Sequence, residues 1–132
     1  MHPVPALAYS VDISSYDAFR NNTYGHAYDI DGYYGAQCWD GAALLWQQLG
    51  MWLQTGDGRA RGTWLNCRDQ NAGSEFDLIT GIQNVRRGDV VVFDYNNNFN
   101  AVDDNGVPFG HIAFANNDYK QGIGFNIYGQ NQ

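Results

Sequence analysis

Cys38 and His111 are the residues of this sequence best suited to nucleophilic chemistry, and Asp29, Asp31 and Asp40 are the ones best suited to holding a cation. A thiol acts as a nucleophile when its proton can leave. The start of a helix favours this, because unpaired N–H groups and the helix dipole stabilise a thiolate. Cys38 lies at such a start, directly ahead of an apolar run. A thiol also needs a base within hydrogen-bond reach. Of the three histidines, His2 is near the terminus, His26 falls in a polar loop, and His111 opens the alternating run HIAFA after a glycine. A histidine on a rigid strand can be held in one orientation, as catalysis requires. The later run YGQNQ offers amides that could orient an imidazole.

The acidic residues follow a second pattern. Asp29, Asp31, Tyr33, Gly35, Gln37 and Asp40 stand at positions 1, 3, 5, 7, 9 and 12 of one window, the register of a calcium loop. Calcium takes oxygen ligands, so the three aspartates would give carboxylates and Tyr33 and Gly35 backbone carbonyls. Glycine at position 4 and aspartate at position 12 depart from an EF-hand. The same residues also read as a polar turn followed by a helix-start acid. DDNG at 103–106 reads as a turn.

These residues need elements to position them. Cys38, Ala42, Leu45, Trp46 and Leu49 repeat at helical spacing, with Gly50 as the stop. Strands are expected at Asp89–Tyr95, His111–Ala115 and Ile123–Gly129, joined by turns into an antiparallel meander. Residues 1–15 are expected to form an arm or short helix, and residues 55–75, rich in Gly, Asn and Asp, an irregular loop with room for a short helix. One helix followed by such a sheet gives the α+β class. The length of 132 residues fits a single domain.

Composition excludes several functions. The formal net charge of −7 opposes a nucleic-acid partner and adhesion to anionic membranes. No apolar run reaches the ~18 residues a membrane span needs. The first residues show neither a basic leader nor an apolar h-region, so we expect synthesis in the cytoplasm without a signal peptide. The other cysteine, Cys67, leaves open a Cys38–Cys67 disulfide and with it a small interaction domain.

The blocks DIDGYYGAQCWDGAALL, RRGDVVVFD, GHIAFA and NIYGQNQ, in this order, resemble the CHAP domain, the cysteine, histidine-dependent amidohydrolase/peptidase of phage endolysins and bacterial wall hydrolases. The resemblance covers residues 25 to 132. It implies a papain-like fold with N-terminal helices packed on an antiparallel sheet, and cleavage of peptidoglycan amides by an endopeptidase or an N-acetylmuramoyl-L-alanine amidase. It makes Cys38 the nucleophile and His111 its base, with Gln37 and the Cys38 N–H forming the oxyanion site. It also implies structural calcium on Asp29, Asp31, Tyr33, Gly35 and Asp40. Where many relatives carry Glu-x-Asn, this sequence has Gly129, Gln130 and Asn131, which leaves Asn131 to orient His111. The chain stops soon after this motif, where relatives continue. That implies a monomeric catalytic module excised from a longer lysin with a wall-binding domain, acting on the wall of the phage's host. The missing glutamate also permits an inactive, calcium-dependent wall-binding module, with aromatic loops at Tyr33, Tyr34 and Trp64.

Overall fold

The computed structural model describes residues 9–32, 35–51, 58–69, 76–94, 105 and 109–130. Among the described residues, three α-helices precede a three-stranded antiparallel sheet of order β1-β2-β3, an α+β arrangement. Among the described residues no helix is long and apolar enough to cross a membrane.

Helix α1 spans Tyr16–Thr23, so the expected N-terminal arm is followed by a helix that the sequence reading missed. Residues 9–15 are not helical. Ser15 ends them, its Oγ accepting the Ala18 N–H at 3.0 Å as an N-cap. The helix buries only Phe19 and Thr23, too few apolar positions for a clear period.

Helix α2 spans Cys38–Gln48. It ends as its sequence suggests: Gly50 takes φ +73°, its N–H reaches Gln47 O at 3.0 Å, and the Met51 N–H reaches Trp46 O at 2.8 Å. This is a Schellman closure, and the left-handed position is cheap only for glycine. Trp39, Ala42, Ala43, Leu44 and Trp46 are all buried, so the helix runs through the core. Helix α3, Ala60–Asp69, is the short helix for which the segment 55–75 left room. It buries small residues, Ala60, Gly62, Thr63 and Cys67, whose apolar signal is faint. Trp64 therefore lies in a helix and not in an aromatic loop.

In the sheet, β1 (Val90–Phe93) pairs with β2 (His111–Ala115) from Val90↔Phe114 to Phe93↔His111. Strand β3 (Ile127–Tyr128) pairs with β2 at Phe114↔Tyr128. Residues paired across strands share a face. Val90, Val92, Ile112, Phe114 and Tyr128 turn toward the helical core, while Val91, Phe93, His111 and Ala113 take the other side. The third strand is shorter than the expected 123–129. Positive φ at Gly122 and Gly124 and a Lys120–Gly124 bridge make a tight turn there, leaving Ile123 81% exposed at its tip.

Candidate active site

His111 is fixed by the residue before it. Gly110 has φ +77°, and a Cβ there would lie 2.3 Å from Phe93 O and 3.1 Å from Ala60 Cβ. The Ala60 N–H also donates to Phe109 O at 2.8 Å. The start of β2 is thus pressed between the end of β1 and the start of α3, and only glycine fits. His111 is 3% exposed, its Nε2 is buried, and its ring centroid lies 6.3 Å from that of Phe93.

Cys38 is the first residue of α2 and is partly exposed. The N–H of Ile112 points at its sulfur, as do those of Trp39 and Cys38 itself. The thiol therefore sits at the peptide group joining His111 to Ile112, although the two residues are far apart in sequence. The helix start was expected to lower the thiol pKa. Instead burial pushes the Cys38 thiol up, outweighing the three N–H groups, and the Asp40 charge adds to the rise. Both cysteines are free, so the Cys38–Cys67 disulfide and the interaction domain built on it are ruled out. Burial also raises the Cys67 pKa.

Asp40 is 1% exposed. Its Oδ1 accepts the Ile30 N–H at 2.7 Å and the Asp31 N–H at 3.4 Å, and its Oδ2 accepts the Gln37 N–H at 2.9 Å. One carboxylate thus ties the acidic loop to the helix start, with Gln37 as the exposed N-cap residue. Burial raises the Asp40 pKa and the nearby Asp31 charge adds to it, against the pull of the bonds from Gln37, Ile30 and Asp31. Asp29 Oδ1 accepts the Gly32 N–H at 3.0 Å. Carboxylate oxygens of Asp29, Asp31 and Asp40 lie within 4.8 Å of one another, and Gly35 holds φ +74° in the same loop. This all-oxygen set, with three negative charges and one nearly buried carboxylate, fits a hard divalent cation. Tyr33 and Asn131 lie outside the described residues.

One residue at this site, Gln130, was given no role of its own by the sequence. Gln130 Oε1 accepts the Tyr28 N–H at 2.6 Å, and its Nε2 donates to Tyr28 O at 3.1 Å and to Gln37 O at 2.9 Å. No spacing rule reveals such side-chain-to-backbone bonds across the fold.

The family model of the CHAP domain matches residues 27–131, spanning the acidic loop, α2 and all three strands. The chain belongs to the CHAP domain family. It is also 34% identical over 122 residues to a D-alanyl-L-alanine endopeptidase of Streptococcus phage B30, an alignment covering 91% of this chain and 25% of that protein. The chain thus spans a quarter of the length of this curated relative. No solved structure matches. The CHAP match accounts for the order of blocks that the sequence displays, cysteine helix first and histidine strand later.

Proposed function

We propose that this CHAP domain is a peptidoglycan hydrolase that cleaves an amide bond of the bacterial wall by a thiol mechanism. The observation that carries this reading is the Cys38 sulfur lying against the Ile112 N–H, one residue from His111. Because burial keeps the thiol protonated, His111 acts as a general base and takes the proton as sulfur attacks the carbonyl carbon. The Cys38 N–H, at the first helical position, and the Gln37 side chain hold the oxyanion. Collapse of the tetrahedral intermediate breaks the C–N bond, and the imidazolium of His111 protonates the departing amine. Water then attacks the thioester with His111 as base, which releases the acid and restores the thiol. Asn131 would orient the imidazole, as amides do in papain-like enzymes.

Calcium would be held by Asp29, Asp31 and Asp40, with carbonyls of Tyr33 and Gly35. When bound it supplies charge neutralisation and rigidity and takes no part in bond breaking. The name of the phage relative favours a peptide bond between D-alanine and L-alanine over the sugar–peptide amide. Its greater length favours a separate wall-binding domain in the whole protein. A second reading, an inactive wall-binding module, draws on Gly129 standing where relatives carry glutamate. Turbidity loss of Gram-positive sacculi, with mass spectrometry of the released fragments, separates the two. We expect lysis by the wild type and none by Cys38→Ala; equal lysis by both sinks the thiol mechanism.

A further inference from the structure

We infer that Gln130 is a positioning residue that locks the first turn of α2, and with it Cys38, to the end of the sheet that carries His111. Every polar group of its amide is engaged with backbone: Oε1 with the Tyr28 N–H at 2.6 Å, and Nε2 with Tyr28 O at 3.1 Å and Gln37 O at 2.9 Å. Toward Tyr28 the amide pairs as a neighbouring strand would, with one donor and one acceptor. Gln130 lies two residues beyond the end of β3, so these bonds join the sheet to the residue before Asp29 and the residue before Cys38.

The bond to Gln37 has the sharpest consequence. The Gln37 C=O and the Cys38 N–H belong to one planar trans peptide, so fixing one fixes the direction of the other. Asp40 holds the Gln37 N–H at 2.9 Å, and Gln130 holds its C=O. Gln37 is thus held at both of its backbone polar groups: Asp40 grips the peptide before it, and Gln130 grips the peptide that aims the Cys38 N–H. That N–H is the donor assigned above to the oxyanion, so the activity part of the inference rests on the hydrolase reading. The Gln130 side chain runs beside Gly41 of α2, where an added Cβ would make only ordinary contact, 3.7 Å from Gln130 Cγ. A side chain retained only for packing would have no need of an amide here.

The test compares Gln130→Met, which keeps the length but loses the amide, with Gln130→Glu, which keeps the acceptor and loses both donors. Each variant is checked for folding, assayed for kcat and KM on sacculi, and titrated by iodoacetamide alkylation of Cys38, followed by peptide mass mapping. We expect both to fold, with kcat reduced roughly tenfold or more at nearly unchanged KM, the scale that misplacing a catalytic group produces. We also expect the alkylation profile of Cys38 to move to higher pH as its N–H partners lose alignment. A residue that only stabilises the fold would lower the melting temperature and leave kcat and the alkylation profile of the folded protein unchanged; that result overturns the inference. If neither variant folds, hydrogen exchange of the wild-type Gln130 side-chain amide decides. Slow exchange upholds the clamp, and exchange at the rate of a free amide refutes it. Should Cys38→Ala lyse sacculi as well as the wild type, the hydrolase reading falls, while the alkylation and exchange results still judge the clamp.

Discussion

Replacing Gly110 by alanine should damage this protein more than any other single methyl group added at a glycine of a described turn. Two costs combine. At φ +77° an L-residue pays roughly 1–2 kcal/mol for its Cβ alone. The new Cβ would also sit 2.3 Å from Phe93 O, so the end of β1 and the start of β2 must separate. Forced overpacking of this kind costs about 1–3 kcal/mol. The total is about 2–5 kcal/mol. An unfolding entropy near ~2.1 cal/mol/K per residue makes each kcal/mol worth about 4 °C in a chain of 132 residues. Thermal melting followed by circular dichroism should therefore fall by about 8–20 °C. Gly122→Ala is the control, since Gly122 has φ +78° with nothing within 4 Å of its added Cβ. It should lose only the conformational part, about 4–8 °C. Equal melting of the two variants would show that the contact of Gly110 with Phe93 O does not hold His111 in place, and the account of the site's rigidity would fail.

Asp40→Ala leaves the Ile30 and Gln37 N–H groups without their acceptor, which at ~1–3 kcal/mol per orphaned donor should cost about 2–6 kcal/mol in urea unfolding; an unchanged midpoint refutes this. The Cys38 thiol, raised by burial, favours the protonated form in the folded state. Its contribution to stability is complete below the ordinary thiol pKa and is lost as pH rises through the raised folded value. Native alkylation should therefore have its midpoint at higher pH than alkylation of the urea-unfolded chain, and a lower midpoint contradicts the burial argument. Calcium at a hundred times its dissociation constant should stabilise the fold by about 2.7 kcal/mol, or roughly 10 °C, and magnesium should not. The doubly substituted Asp29→Ala, Asp31→Ala protein should lose the shift; identical melting of the wild type in calcium and in chelator would remove the cation from the loop.

What was legible in the sequence was what depends on neighbours along the chain. The Cys38 helix declared itself through its apolar spacing and its stop at Gly50, which the Schellman closure explains. The strand of His111 was legible at both ends, because HIAFA is short, apolar and preceded by a glycine. Helix α1 was hidden, and α3 was expected only as a short helix that a loop had room for, because they bury few large side chains: Phe19 and Thr23 in one, small residues in the other. Strand β3 was overestimated because Ile123 looks like a strand residue while its flanking glycines force a turn. The thiol pKa was misjudged for a related reason. A helix start can be read from sequence, but the desolvation that outweighs it comes from distant chain packed around Cys38. The role of Gln130 was illegible, since its partners are backbone atoms that any residue would present.

The acidic loop shows that two readings of one sequence pattern need not compete. Spacing alone left Asp40 as either a helix-start acid or the closing ligand of a cation loop. Its carboxylate does the first, accepting the Gln37 N–H, and in doing so it is held within 4.8 Å of the Asp29 and Asp31 oxygens. The cap aims the carboxylate into the loop. The same convergence brings like charges together, and with burial it raises the Asp40 pKa. A divalent cation would reverse both effects by making the ionised form the favoured one. Its binding would therefore strengthen the same carboxylate that fixes the Gln37 N–H, so ion occupancy and the placement of Cys38 would be coupled through one side chain without the ion approaching the sulfur.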